Sequence, residues 1–131
     1  MRKITLLMLL SILLAGCHKS IEDKAAEEAR EYTRKYCPTP VVNNTRTDSM
    51  TFDRATRTLL YHCSFCGPYD DAALIATNRA SLSQSIIKQI RENEGLRKLK
   101  KEGFSFKYIV HSDSHPQQII YTQLVTPKDY K

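Results

Sequence analysis

The chain has 131 residues, 41% of them hydrophobic, with 20 basic residues against 14 acidic ones and a formal net charge of +6. That length suits one domain with a modest single core and excludes a multi-domain arrangement. There is no Trp and no low-complexity tract, so the composition is that of an ordinary globular domain with a mild basic excess, a balance that bears on surfaces and partners but not on fold.

The first segment has the parts of an export signal. Arg2 and Lys3 form a charged start, and the apolar run over residues 4–14 is broken only by Thr5 and Ser11. A transmembrane helix needs ~20 apolar residues, so this run is too short to span. It ends in Leu14-Ala15-Gly16-Cys17, which resembles the bacterial lipobox: an aliphatic residue, two small ones and a cysteine. The resemblance implies that residues 1–16 are removed and that Cys17 becomes the lipidated first residue of a mature chain over residues 17–131. Diacylglyceryl and acyl chains on Cys17 would then hold the protein to a membrane, each buried methylene contributing ~0.8 kcal/mol. His18, where an Asp would retain the protein at the inner membrane, implies the outer membrane by resemblance to enterobacterial sorting rules; neither a periplasmic nor a surface face follows from it. Of the 20 basic residues two leave with the signal, so 18 stand against 14 acidic ones, a mature balance of +4.

After a short polar tether, Ile21, Ala25, Ala29, Tyr32 and Tyr36 recur at helical spacing and predict a first helix. Ser20 is placed to cap it, Glu31 and Lys35 to pair across one turn, and Pro38 and Pro40 to end it. Strand-forming residues over 41–52 and 58–65 predict a hairpin turning at residues 53–56. In its second strand Leu59, Tyr61, Cys63 and Phe65 share the face expected to meet the core, while Leu60, His62 and Ser64 share the other.

Gly67-Pro68 breaks the strand, and Asp70 and Asp71 sit where a cap and a first-turn acid belong. One long helical segment follows, carrying Ile75, Leu82, Ile86 and Ile90 with Ile87 beside them, until Asn93-Glu94-Gly95 interrupts it. A short basic helix over residues 96–102 is closed by Gly103. Phe104, Phe106, Tyr108 and Val110 alternate with Ser105, Lys107, Ile109 and His111 as a third strand. A turn over residues 112–117 leads to a fourth strand over 118–126, stopped by Pro127. Leu59-Leu60-Tyr61 and Ile119-Ile120-Tyr121 fall at the same place in their hairpins, so helix and hairpin occur twice. That order predicts an α+β domain of two layers, α-β-β-α-β-β, with a four-stranded antiparallel sheet, two helices on one face and the other face partly open.

Three cysteines follow Cys17. In an oxidising compartment one disulfide with one thiol left over is the simplest arrangement. A bridge from Cys37 to Cys63 or Cys66 would tie helix to hairpin, worth roughly 3–4 kcal/mol by loop closure. Cys63-Ser64-Phe65-Cys66 next to a helix start also has the spacing that supports thiol–disulfide exchange, although the similarity to thioredoxin stops at the motif, since the first cysteine lies within a hairpin strand. His62, Cys63, Cys66, His111 and His115 supply only one compact ligand pair and predict no metal site. No cofactor is implied. With neither G-x-S-x-G nor H-E-x-x-H present, hydrolysis has no support.

The basic run Arg97, Lys98, Lys100 and Lys101 is a candidate contact with a membrane surface or a partner, beside the plainer reading of a solvated helix end that complements the dipole. Export argues against nucleic acid as a ligand. The segment from Cys37-Pro38 through Thr45-Arg46-Thr47-Asp48-Ser49 to Leu60-Tyr61-His62 resembles the pattern of small uncharacterised bacterial envelope lipoproteins, a resemblance that carries no activity. The expectation is a lipid-anchored, non-enzymatic binding or assembly module of the cell envelope with a protein or glycan partner. An inhibitor or immunity-type protein is a subclass, and a thiol–disulfide exchange enzyme using Cys63 and Cys66 is the alternative.

Overall fold

A computed structural model describes residues 18–131; the expected signal segment, residues 1–16, and the expected lipidation site Cys17 lie outside the described residues. Ser20 Oγ accepts a hydrogen bond from Asp23 N at 3.1 Å and opens helix α1, Ile21–Tyr36, with Glu22 and Asp23 in the first turn where the dipole favours acids. Its buried face is made of Ala25, Ala26 and Ala29. These small side chains let the helix lie close over the sheet. Thr33 reaches the sheet edge, accepting from Met50 N at 2.8 Å and donating to Met50 O at 2.9 Å. A helix side chain thus satisfies backbone that an edge strand would otherwise expose.

The first hairpin joins β1, Thr45–Asp53, to β2, Thr58–Phe65. Strand β1 begins later than residue 41 because Asn43 and Asn44 adopt left-handed backbone, φ 52° and 59°, and Val42 and Thr45 close a turn on each other. Asparagine tolerates that region better than most residues. A bulge at Asp48 inserts one extra residue opposite β2. It leaves Thr47, Met50 and Phe52 facing the helices and Arg46, Asp48 and Ser49 facing the other way.

After a 3₁₀ turn at Gly67–Tyr69 come α2, Ala72–Thr77, and α3, Arg79–Glu92. Here the single long helix expected from the pattern is broken at Asn78, whose N–H bonds the carbonyls of Leu74 and Ile75 and whose side chain donates to Leu74 O at 2.8 Å. One residue therefore satisfies the end of α2 and begins α3. A 3₁₀ turn at Glu94–Leu96 leads into α4, Arg97–Lys101. Gly103 then reverses the chain at φ 79°, a backbone that disfavours other residues. Strands β3, Ser105–Ser112, and β4, Ile119–Val125, complete the sheet. Pro127 does not simply stop the chain. It occupies the first turn of a short helix α5, Pro127–Tyr130, closed by a Thr126/Asp129 capping box.

The fold is α+β, with the four strands in the order β1-β2-β3-β4 and helices packed on one face. The expected all-antiparallel sheet is corrected at its centre. β1/β2 and β3/β4 are antiparallel, whereas β2 and β3 run parallel, with Thr58 beside Ser105 and Phe65 beside Ser112. The cause is the connection over residues 66–104, whose helices carry the chain back to the end of the sheet where β2 began. A parallel pair requires a crossover of this kind. The two hairpins consequently run in opposite senses, so the repeated order is not a repeated placement.

The core lies between the sheet and α1, α3 and α5, with Phe104, Phe106, Ile90, Val110, Tyr121 and Val125 almost fully buried. Burying each such side chain contributes ~1.5–3 kcal/mol. Tyr130 joins this core from α5. Its ring meets Phe106 edge-on at 6.0 Å and its hydroxyl donates to Phe104 O at 2.7 Å.

Candidate functional site: a neutral groove along α3

Helix α3 presents Leu82, Ser85, Ile86 and Gln89 at the i, i+3, i+4, i+7 spacing of one stripe. Ile86 descends into the core, and Leu82, Ser85 and Gln89 form the wall of a groove. The floor is sheet, from Phe65 and Cys63 to Tyr108 and Val110. The opposite wall is the turn containing Val42 and Asn43, held by its own backbone pair. Two hollows of about 480 and 280 Å³ share Thr45, Phe65, Leu82 and Ser85 and so form one continuous depression. Its upper mouth is set by Tyr69 and Leu74. Asp71 fixes Leu74 there by accepting from Ala73 N and Leu74 N at 3.0 Å each, and Tyr69 is held edge-on to Phe65 at 6.2 Å.

Two properties distinguish this groove. No charged side chain lines either hollow. Its rims also carry large apolar groups facing solvent: Val42 is 64% exposed, Tyr69 45% and Leu74 40%, with exposed Val41 and Tyr36 in the adjoining segment. Exposed apolar groups clustered around one depression mark an interaction surface more than scattered single residues do. Tyr61 and Tyr108 stack at 4.7 Å below the helices, and burial pushes the Tyr108 hydroxyl up to about 12. These rings serve as neutral, rigid contact surface.

The other sheet face is mixed: a polar cluster on β1 and β2 stands beside Leu60, Ile109 and the exposed Ile119 and Leu124, 53% and 48% accessible. Arg46 bonds Asp48 Oδ1 at 2.7 Å through Nε and Asp113 Oδ1 at 2.9 Å through Nη1, which raises its pKa and keeps it charged. Ser64 Oγ donates to Asp48. His62 Nε2 lies 3.0 Å from Thr51 Oγ1, and His111 Nδ1 donates to Pro116 O at 2.9 Å. Arg46, Asp48, Ser64 and Asp113 thus form one connected network, with each histidine bonded through one ring nitrogen.

The cysteines separate. Cys63 faces the helices, close to Cys37 and Thr47, whereas Cys66 lies on the other face with its Sγ 3.9 Å from Arg46 Nη1. All three are free thiols, Cys63 and Cys66 buried and Cys37 partly so. Burial raises each pKa, that of Cys63 to about 11. Exchange chemistry needs the opposite, a lowered pKa and an accessible thiolate. Among the described residues no three His, Cys, Asp or Glu side chains gather to hold a metal ion, and His62, His111 and Cys63 are divided between the two faces of the sheet. Of the basic run, Lys100 turns inward to cap α3, donating to Ile90 O at 2.9 Å and Arg91 O at 2.8 Å. Arg97, Lys98 and Lys101 remain exposed.

The family model described as Domain of unknown function (DUF8479) matches residues 20–121. The chain belongs to this family. The DUF8479 match covers every strand except the last residues of β4, and with them the whole groove. No curated protein matches the sequence significantly. Two solved structures share the fold of this DUF8479 domain. One is a protein described as secreted from Pseudomonas aeruginosa, at 15% identity and TM-score 0.66, covering 87% of this chain and 100% of its own. The other is the pilotin EpsS of the Vibrio vulnificus type 2 secretion system, at 14% identity and TM-score 0.64, covering 84% of this chain and 91% of its own. At these identities the likeness is one of fold, and function must be argued from the site.

The groove residues Tyr69, Leu74 and Val42 were not singled out by the sequence pattern. The available signal was that Leu74 and Tyr69 are large apolar residues off the buried stripe marked by Ile75, Ile86 and Ile90.

Proposed function

We propose that this protein is a lipid-anchored, non-enzymatic assembly module of the bacterial cell envelope that holds an apolar segment of a protein partner in the groove along α3. The observation that carries this reading is the neutral groove with solvent-facing apolar rims. A partner segment with one apolar face would bury Val42, Tyr69, Leu74 and Leu82 without leaving a charge unpaired, the physics of helix-in-groove recognition. The lipobox supports acylation at Cys17, and His18 supports the outer membrane. Similarity of fold to a secretion-system pilotin favours a component of an envelope machine as partner over an enzyme blocked by an inhibitor or immunity-type protein. Raised thiol pKa values and the placement of Cys63 and Cys66 on opposite sheet faces argue against thiol–disulfide exchange.

The test is recovery of partners by lipidated protein from detergent-solubilised envelopes, comparing wild type with Leu74→Glu and Leu82→Glu. One recurrent envelope protein, recovered by wild type and lost by both folded variants, is expected. Equal recovery by all three would remove the groove from the account, and absence of acyl mass on Cys17 would remove the anchor.

A further inference from the structure

We infer that the end of the molecule formed by α4, the start of α1 and the first hairpin turn is a docking surface for anionic lipid headgroups, so that the protein stands on the membrane with this end down. The inference rests on the proposed acylation of Cys17 for its geometry and on the structure for its surface. Only His18 and Lys19 lie between Cys17 and the helix cap at Ser20, so the chain can extend only ~10 Å over those three steps. That is about one Debye length at physiological salt. Whatever lies beside the start of α1 is therefore within electrostatic reach of the bilayer.

What lies beside it is the basic run. Ile21, Lys24 and Glu28 of α1 line the same hollow of about 460 Å³ as Leu96, Lys98 and Leu99. Arg97, Lys98 and Lys101 are exposed, and none is among the ion pairs of the described residues. Lys100 is consumed in capping α3, which is the role a solvated helix end would require; the other three have no such use. Over residues 94–102 four cations face Glu94 and Glu102, a balance of +2. In the neighbouring turn Arg54 bonds Asp23 at 2.7 Å and Arg57 lies 3.1 Å from Glu22, so the turn and the start of α1 together, Lys19, Lys24, Arg54 and Arg57 against Glu22, Asp23 and Asp53, add only +1, and the larger excess is that of α4. At the opposite end the segments 66–71 and 112–118 carry Asp70, Asp71 and Asp113 and no Lys or Arg; Asp113 is paired with Arg46 at 2.9 Å, so these segments offer acids and no free cation. The parallel β2/β3 pair produces this polarity by returning the chain to the basic end before β3 begins. The groove mouth at Tyr69 and Leu74 is built from the acidic end, so docking at the basic end leaves it facing away from the bilayer.

Each Lys or Arg near an anionic surface strengthens binding about fivefold. The test uses the lipidated protein in nanodiscs of phosphatidylcholine alone or with phosphatidylglycerol, read by hydrogen–deuterium exchange. Residues 94–103 are expected to exchange at least about fivefold more slowly on the anionic discs, with residues 66–71 and 112–118 unchanged and the contrast abolished by Arg97→Gln/Lys98→Gln/Lys101→Gln. Equal exchange on the two membranes, or protection at the acidic end instead, would overturn the inference. The intact mass of the same sample reports acylation independently, and unacylated protein mixed with excess discs must show the same contrast, so failure of the anchor and failure of the docking surface register separately.

Discussion

Replacing Tyr130 by Phe isolates one hydroxyl at the point where the C-terminal helix is fastened to the basic end. The Tyr130 hydroxyl donates to Phe104 O at 2.7 Å and approaches Lys100 O at 3.2 Å. Lys100 O keeps another donor, Gly103 N at 3.1 Å, so the substitution strands chiefly the buried carbonyl of Phe104. An unsatisfied buried carbonyl costs ~1–3 kcal/mol; the ring stays in place, so we expect a loss of about 1–2 kcal/mol. For a domain of this size that is a fall in Tm of about 4–8 °C. Tyr130→Ala also removes the ring packed on Phe106 and should cost ~3–5 kcal/mol. Equilibrium urea unfolding followed by circular dichroism measures both. A Tyr130→Phe midpoint equal to wild type would refute the reasoning that this hydroxyl fastens α5 to the segment after α4.

Other outcomes follow from single contacts. Asp71→Ala removes the cap on α2 and should destabilise the domain by ~1 kcal/mol while loosening Leu74 at the groove mouth, seen as faster amide exchange over residues 72–77. Cys37, Cys63 and Cys66 are free thiols in the structure; where the envelope oxidises a pair, Cys37 and Cys63 are expected to bridge, worth roughly 3–4 kcal/mol, with Cys66 alkylated as a thiol, and peptide mapping that finds Cys66 in the bridge contradicts the separation of faces. Burial first, and nearby His111 second, lower the pKa of His62 from 6.5, with Asp48 opposing. The unfolded chain therefore takes up this proton first. The His62 contribution to stability is fully present above the unfolded value and is lost as pH falls through it toward the lowered folded one, so His62→Gln should flatten the fall in urea midpoint between pH 7 and pH 5, and an unchanged slope would exclude His62 as its source.

Much of the fold was legible because local rules and tertiary packing agree. Ser20, the Gly67-Pro68 break and the alternation of Phe104, Phe106, Tyr108 and Val110 each mark a boundary or a face that the structure keeps. The break at Asn78 was hidden because the apolar stripe runs straight through it, and only the side-chain bond back to Leu74 O reveals the end of α2. The parallel centre of the sheet is a tertiary choice. Hairpin order alone admits either sense, and the decisive fact is the length and path of residues 66–104. Helix α5 was obscured by reading Pro127 as a stop, although a proline after Thr and two residues before Asp is equally a helix start.

The candidate site was less legible than the fold. A groove is made of positions that local patterning treats as leftovers, and Val42, Tyr69 and Leu74 become a surface only when the turn, the 3₁₀ segment and α2 are brought to one end. The cysteines show the same limit. Spacing pairs Cys63 with Cys66 on paper, whereas strand alternation places them on opposite faces and brings Cys63 toward Cys37.

The most direct test of the central claim is site-specific photo-crosslinking in living cells, with the photoreactive residue at Ser85 in the groove wall or at Thr122 on the opposite, open face of the sheet. The account predicts one discrete adduct with an envelope protein from Ser85, abolished by Leu74→Glu, and none from Thr122. An adduct from Thr122 alone, or none from either position, would contradict it.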